Sequence, residues 1–278
     1  MSRGLGDVYK RQSRYFLNNI YLEHLYSGYN RIDGDFLDAA SDDAISIDNN
    51  SPEIYKLFMG RYSAVSRLRD MEWGAYYQGI RKANILINNI DVVPFNLTYV
   101  NALGETKPLN YTMKAEARFL RAYFYFELVK RYGGVPLVGD NVYVLGDDVQ
   151  LPRNTFAQCI DYIIGELDEI KDDLRSLPMS DATEFAHAPT KETCLAMKAR
   201  VLLYAASPLF NEKPLEAGNE LIGYASYDSQ RWNLAAQAAK DLIDQYGPKG
   251  KGTLNLAQDY RNIFINFYGC LLYTSPSP

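Results

Sequence analysis

Asp33, Asp35, Asp38, Asp42, Asp43 and Asn50 crowd the stretch GYNRIDGDFLDAASDDAISIDNNS. Binding groups concentrate on loops held by rigid elements, and carboxylates and amides there can grip the hydroxyls of a sugar. Two carboxyls about 5–9.5 Å apart across a cleft would instead serve hydrolysis of a glycosidic bond. The same residue types form turns and helix caps, with Ser51 placed to cap ahead of Pro52. Trp73, at a polar helix boundary, offers either a flat face on which a sugar ring stacks or an anchor for a helix end. Asp38, Asp42, Asp43, Asn50 and Trp73 are therefore the candidate ligand contacts, and no residue is assigned as catalytic. The chain's 23 tyrosines supply further aromatic faces. Most of them fall on helical stripes, where the ring packs and the hydroxyl reaches the rim.

Other chemistry finds little support. His24 and His187 lie far apart with no Ser or Cys nucleophile motif, and no G-x-S-x-G, H-E-x-x-H or phosphate-loop pattern occurs. Cys159, Cys194 and Cys270 show no C-x-x-C and no metal-ligand spacing, and the first two read as reduced packing residues in helices. No metal or cofactor is expected. A net charge of −5 with scattered basic residues lacks the electrostatic footprint of a nucleic-acid binder. No run approaches the ~20 apolar residues of a membrane-spanning helix. Arg118 and Arg121, near Glu116, are expected to pair with carboxylates of adjacent helices and hold them in register rather than to form an active site.

These groups need a scaffold, and 278 residues that are 47% hydrophobic can bury a substantial core. Lys114 to Val138 organises it: Ala115, Phe119, Ala122, Phe126 and Val129 recur at steps of four and three, one stripe of a helix, and Gly133-Gly134 with Pro136 ends it. Before it come helices at Tyr15–Tyr26, at 52–68 and at Trp73–Ile90, then a connection from Asp91 to Thr112. After it comes an extended segment with a short strand at Val142–Leu145. Thr155 and Gln158 have capping-box spacing ahead of a helix with the stripe Phe156, Ile160, Ile163, Leu167, Ile170 and Leu174. Thr190 caps a helix over 191–206, and a last one spans Gln230–Tyr246 with Trp232, Ala236, Ala239, Ile243 and Tyr246 inward. Helix starts near Ala115, Thr155, Lys191 and Arg231 lie 40, 36 and 40 residues apart. Each helix can bury its stripe only against its neighbours, so the expected fold is all-α, a stack of helical hairpins of tetratricopeptide-like type with long loops.

The EARFLRA helix running into Tyr-Gly-Gly-Val-Pro-Leu resembles the hallmark segment of the SusD/RagB family. YYQGIRKANILINNI resembles the helix preceding that hallmark, and APTKETCLAMKARVLLYAASPLF and RWNLAAQAAKDLID resemble later ones. FLNNIYLEHLYSGYNRIDGDFLDAASDDA is similar to the opening of the family's mature domain, and Asp42 and Asp43 lie in its SDDA segment, so they rank first among the contacts. The resemblance implies a glycan-binding lipoprotein of the outer cell surface in Bacteroidetes. It would capture oligosaccharide or polysaccharide without cleaving it and deliver it to a SusC-like TonB-dependent transporter barrel. An all-α glycoside hydrolase and a helical-repeat scaffold for a protein partner are the alternatives. Residues 13–268 are expected to form a partial SusD-like domain. The stretches 1–12 and 269–278, which do not continue the neighbouring periodicity, are expected to be non-native tails, with the lipid-bearing signal outside this fragment.

Overall fold

A computed structural model describes residues 3–25, 37–45, 52–63, 65–66, 73–179, 188–213 and 215–256. Eight helices are formed among them: α1 (Arg3–His24), α2 (Pro52–Phe58), α3 (Trp73–Asn89), α4 (Leu109–Tyr132), α5 (Phe156–Ile170), α6 (Lys191–Ala206), α7 (Pro208–Asn211) and α8 (Gln230–Tyr246). The sheet among these residues is one antiparallel hairpin, β1 (Thr98–Val100) and β2 (Thr106–Pro108), with Tyr99 opposite Lys107. Helices α3, α4, α5, α6 and α8 each pack on the next in that order, and α1 lies against α3 and α4. The all-α stack expected from the periodicity is the observed architecture.

α4 is the centre of the core. Phe124, Tyr125, Phe126, Leu128 and Val129 are fully buried, and even Arg121 is 2% exposed. The helix stops at Gly133, whose φ of +72° favours glycine and whose N–H still reaches the Val129 carbonyl. Gly134 is needed for a different reason. A Cβ there would sit 2.0 Å from the Asn154 carbonyl oxygen, because the outgoing chain runs directly against the entry to α5. α5 begins as its sequence dictates: the Thr155 side chain accepts from the Gln158 N–H, and Gln158 accepts from the Thr155 N–H. Every member of its predicted stripe is buried, each contributing roughly 1.5–3 kcal/mol of burial free energy. Thr190 and Thr193 form the same reciprocal cap at α6.

Several boundaries differ from expectation. α1 starts at Arg3, well before Tyr15. α2 ends at Phe58, where a turn through Gly60 at φ +61° breaks the helix, leaving Tyr62 and Val65 exposed outside it. α4 begins at Leu109, and the hairpin occupies the preceding connection. No strand forms at Val142–Leu145; the Tyr143 carbonyl accepts from Arg81 of α3 and the Val144 carbonyl from the Asp147 N–H in a turn, rather than from a partner strand. In α8 the inward face is rotated from the expected stripe: Ala235 and Tyr246 are buried, while Trp232, Ala236 and Ile243 are exposed. Asp33, Asp35, Asn50, Leu68, His187 and Cys270 lie outside the described residues.

Candidate functional site

Gly133 and Gly134 send the chain out of α4 and back along α3 without a sheet to join. A backbone carbonyl left unpaired beside a core is costly, so each must find a donor. α3 supplies them. Tyr77, Arg81, Asn84 and Asn88, spaced 4-3-4, line one face of the helix. The Tyr77 hydroxyl donates to the Pro136 carbonyl at 2.8 Å, and Arg81 Nε to that of Tyr143 at 3.3 Å. Asn84 Nδ2 donates to Gly139 at 2.8 Å and Asn141 at 2.9 Å, and Asn88 Nδ2 to Asp140 at 3.0 Å. A ladder of side chains thus replaces a strand.

Behind this ladder lies a buried charge cluster. Arg121 donates to Glu166 at 2.7 Å, to Asn84 Oδ1 at 2.7 Å and to Asp140 at 2.5 Å. Arg118 forks onto Glu166 through Nε at 3.1 Å and Nη2 at 2.8 Å, and also reaches Glu169. Burial pushes the Glu166 carboxyl up, but the bonds from Arg118 and Arg121 outweigh it and hold the group below the usual carboxylate range. The expectation that these arginines pair with a carboxylate of an adjacent helix is met. Through Asn84 and Asp140 the cluster also fixes the segment after α4.

Between the first turns of α3 and that segment opens a recess of about 310 Å³. One wall is Trp73, Tyr77, Ile80 and Arg81; the other is Pro136, Val138, Asn141, Tyr143, Val149 and Leu151. The half-buried Trp73 ring lies 4.9 Å from Tyr77 and meets the edge of Tyr132 at 5.0 Å. Tyr77 in turn meets Tyr125 edge-on, and the Tyr125 hydroxyl accepts from the Val138 N–H at 3.0 Å. Burial, chiefly, raises the Tyr77 phenol far above its ordinary value, so it stays a hydrogen-bond donor at all physiological pH.

Of the five candidate contacts, Trp73 belongs to this recess. Asp38, Asp42 and Asp43 do not line it. Asp38 lies in a short 3-10 turn (Leu37–Ala40) whose Ala39 packs with Ile54 of α2, and the Asp38 carbonyl accepts from Ser41; the Asp43 N–H donates to Ser41 Oγ. All three aspartates are exposed, and Asn50 lies outside the described residues. Tyr77, Arg81, Asn141 and Tyr143 escaped the sequence reading. The available signal was the polar 4-3-4 stripe running beside the apolar one on α3.

The fold matches a known class. The sequence model of a family described as starch-binding and associating with the outer membrane matches residues 20–203, and the chain belongs to this SusD-like family. A SusD-like protein of Formosa agariphila, P38, is 27% identical over 164 residues, covering 59% of this chain and 29% of that one. Among solved structures, a SusD-like protein from Bacteroides fragilis superposes with a TM-score of 0.60 at 24% identity, covering 84% of this chain and 38% of its own. A laminarin-binding SusD-like protein gives 0.63 at 17% identity, with 93% and 48% covered. The chain therefore spans less than half the length of each of these relatives.

Proposed function

We propose that this chain is the ligand-gripping helical part of a cell-surface glycan receptor. It captures an oligosaccharide outside the outer membrane and passes it, uncleaved, to a SusC-like TonB-dependent transporter, the longer protein being held at the membrane by a lipid anchor. The observation that carries the reading is the recess in a chain of a starch-binding family: a Trp73 face backed by Tyr77 and Tyr132 suits the apolar C–H face of a pyranose ring. Asn141, Tyr143 and Arg81 at its walls are placed for the ring's polar groups. Hydrolysis would need two carboxyls facing one another across the bond. Among the described residues the recess is lined by none, which supports capture without cleavage. Asp38, Asp42, Asp43 and Asn50 are proposed as a second set of hydroxyl contacts.

Isothermal titration of the full-length protein against plant, algal and host oligosaccharides tests the reading. Binding of at least one glycan, weakened tenfold or more by Trp73→Ala, is expected, with no new reducing ends after prolonged incubation. Failure of every glycan to bind, or release of shorter products, would overturn it.

A further inference from the structure

Among the described residues that line the recess, Arg81 is the one charged side chain and none is a carboxylate. Its Nε–H is committed to the Tyr143 carbonyl, which orients the guanidinium and leaves both Nη groups without a protein partner among the described residues. Acids nearby in the opposing segment are engaged elsewhere: Asp140 with Arg121, Asp147 with the Val144 N–H, and Asp148 with Gln150. Arg118, Arg121 and Arg131, by contrast, each end on a carboxylate. The other polar groups of the lining are neutral, and Asn141 Nδ2 is already given to the Val138 carbonyl.

A guanidinium anchored through Nε keeps both Nη groups for a ligand, and the end-on N–H pair they form matches the spacing of two oxygens on a carboxylate or sulfate. A neutral hydroxyl would leave most of that donor capacity unused. We infer that the recess takes an acidic sugar, its carboxylate or sulfate held end-on by Arg81 while the ring lies on Trp73. This rests on the glycan-binding reading and narrows it to a charged class of ligand.

The test is isothermal titration with galacturonan, mannuronan and sulfated galactan oligosaccharides, each beside its carboxyl-reduced or desulfated counterpart of equal length. The uronic and sulfated arms tell carboxylate from sulfate. At least one acidic oligomer should bind about tenfold or more tightly than its neutral counterpart, an advantage that shrinks as salt rises. Arg81→Gln should abolish that advantage, and Arg81→Lys should retain part of it. Equal affinity for charged and neutral partners, or an advantage that survives Arg81→Gln, would overturn the inference. If neutral glycans bind through Trp73 with no acidic preference, only this inference falls; if no oligosaccharide of either kind binds, the receptor reading falls with it.

Discussion

Replacing Glu166 by Leu asks whether the buried charge cluster, and not the apolar stripes alone, fixes how α3, α4 and α5 lie on one another. Glu166 accepts two bonds from Arg118 and one from Arg121. Its loss strands Arg121, 2% exposed, whose remaining carboxylate partner Asp140 is a side chain mostly in solvent. Removing one member of a buried pair costs about 3–5 kcal/mol. Here Arg118 keeps Glu169, and Arg121 keeps Asp140 and Asn84, so about 2–4 kcal/mol is expected for Glu166→Leu. Adding Arg121→Met removes the stranded charge, and the double variant should be more stable than the sum of the two single losses by about 1 kcal/mol or more. The pH sense follows from the depressed Glu166 carboxyl. Its contribution is complete above the unfolded carboxyl's value of 4.5 and is lost as pH falls through the lower folded value, so the gap between parent and Glu166→Leu should close in acid. Urea unfolding followed by circular dichroism at about pH 7 and about pH 3 measures both effects. A cost below about 1 kcal/mol at neutral pH, strict additivity, or a gap that widens in acid would refute the reasoning.

Asn84→Ala takes the side-chain donor from the Asn141 carbonyl, leaves the Gly139 carbonyl only its bond from Arg121 and removes one acceptor from Arg121, and should cost about 1–3 kcal/mol in urea unfolding. It should also weaken glycan binding in titration, although Asn84 does not line the recess, because the Asn141 wall loses its tether. Gly134→Ala drives a Cβ into the Asn154 carbonyl, main chain that cannot step aside, and should destabilise by at least about 2 kcal/mol, read as a fall in Tm. Thr155→Ala removes one half of the capping box and should cost about 1 kcal/mol in the same assay, with Thr155→Ser close to neutral.

Much of this was written plainly in the residues. The stripe and capping box of α5 state its start and its inward face, and Arg118 and Arg121 announce their pairing because a charge set among buried aromatics must meet an opposite one. Trp73 stood out as a flat face at a helix end. Its companions were hidden because Tyr77 reads equally well as a core residue, and because the opposing wall, 136–151, has no periodicity of its own. The hairpin escaped for a related reason: three-residue strands are too short for alternation to show. α8 misled because its alanines give two neighbouring stripes of similar apolar character, and only the packing of α6 chooses between them. The acidic run at 33–50 carries no period at all, so its chemistry could be listed by type but not placed.

α3 holds the stretch 136–143 almost wholly by main-chain oxygens, at Pro136, Gly139, Asp140, Asn141 and Tyr143. Atoms of that kind are common to every amino acid. Outside Gly139, at φ +56°, and Asp140, which answers Arg121, substitutions along this edge would alter the cavity's lining without loosening the grip of α3 on this stretch. Under the glycan-binding role proposed above, a lineage could change the sugar it takes here by point mutation, with its frame untouched.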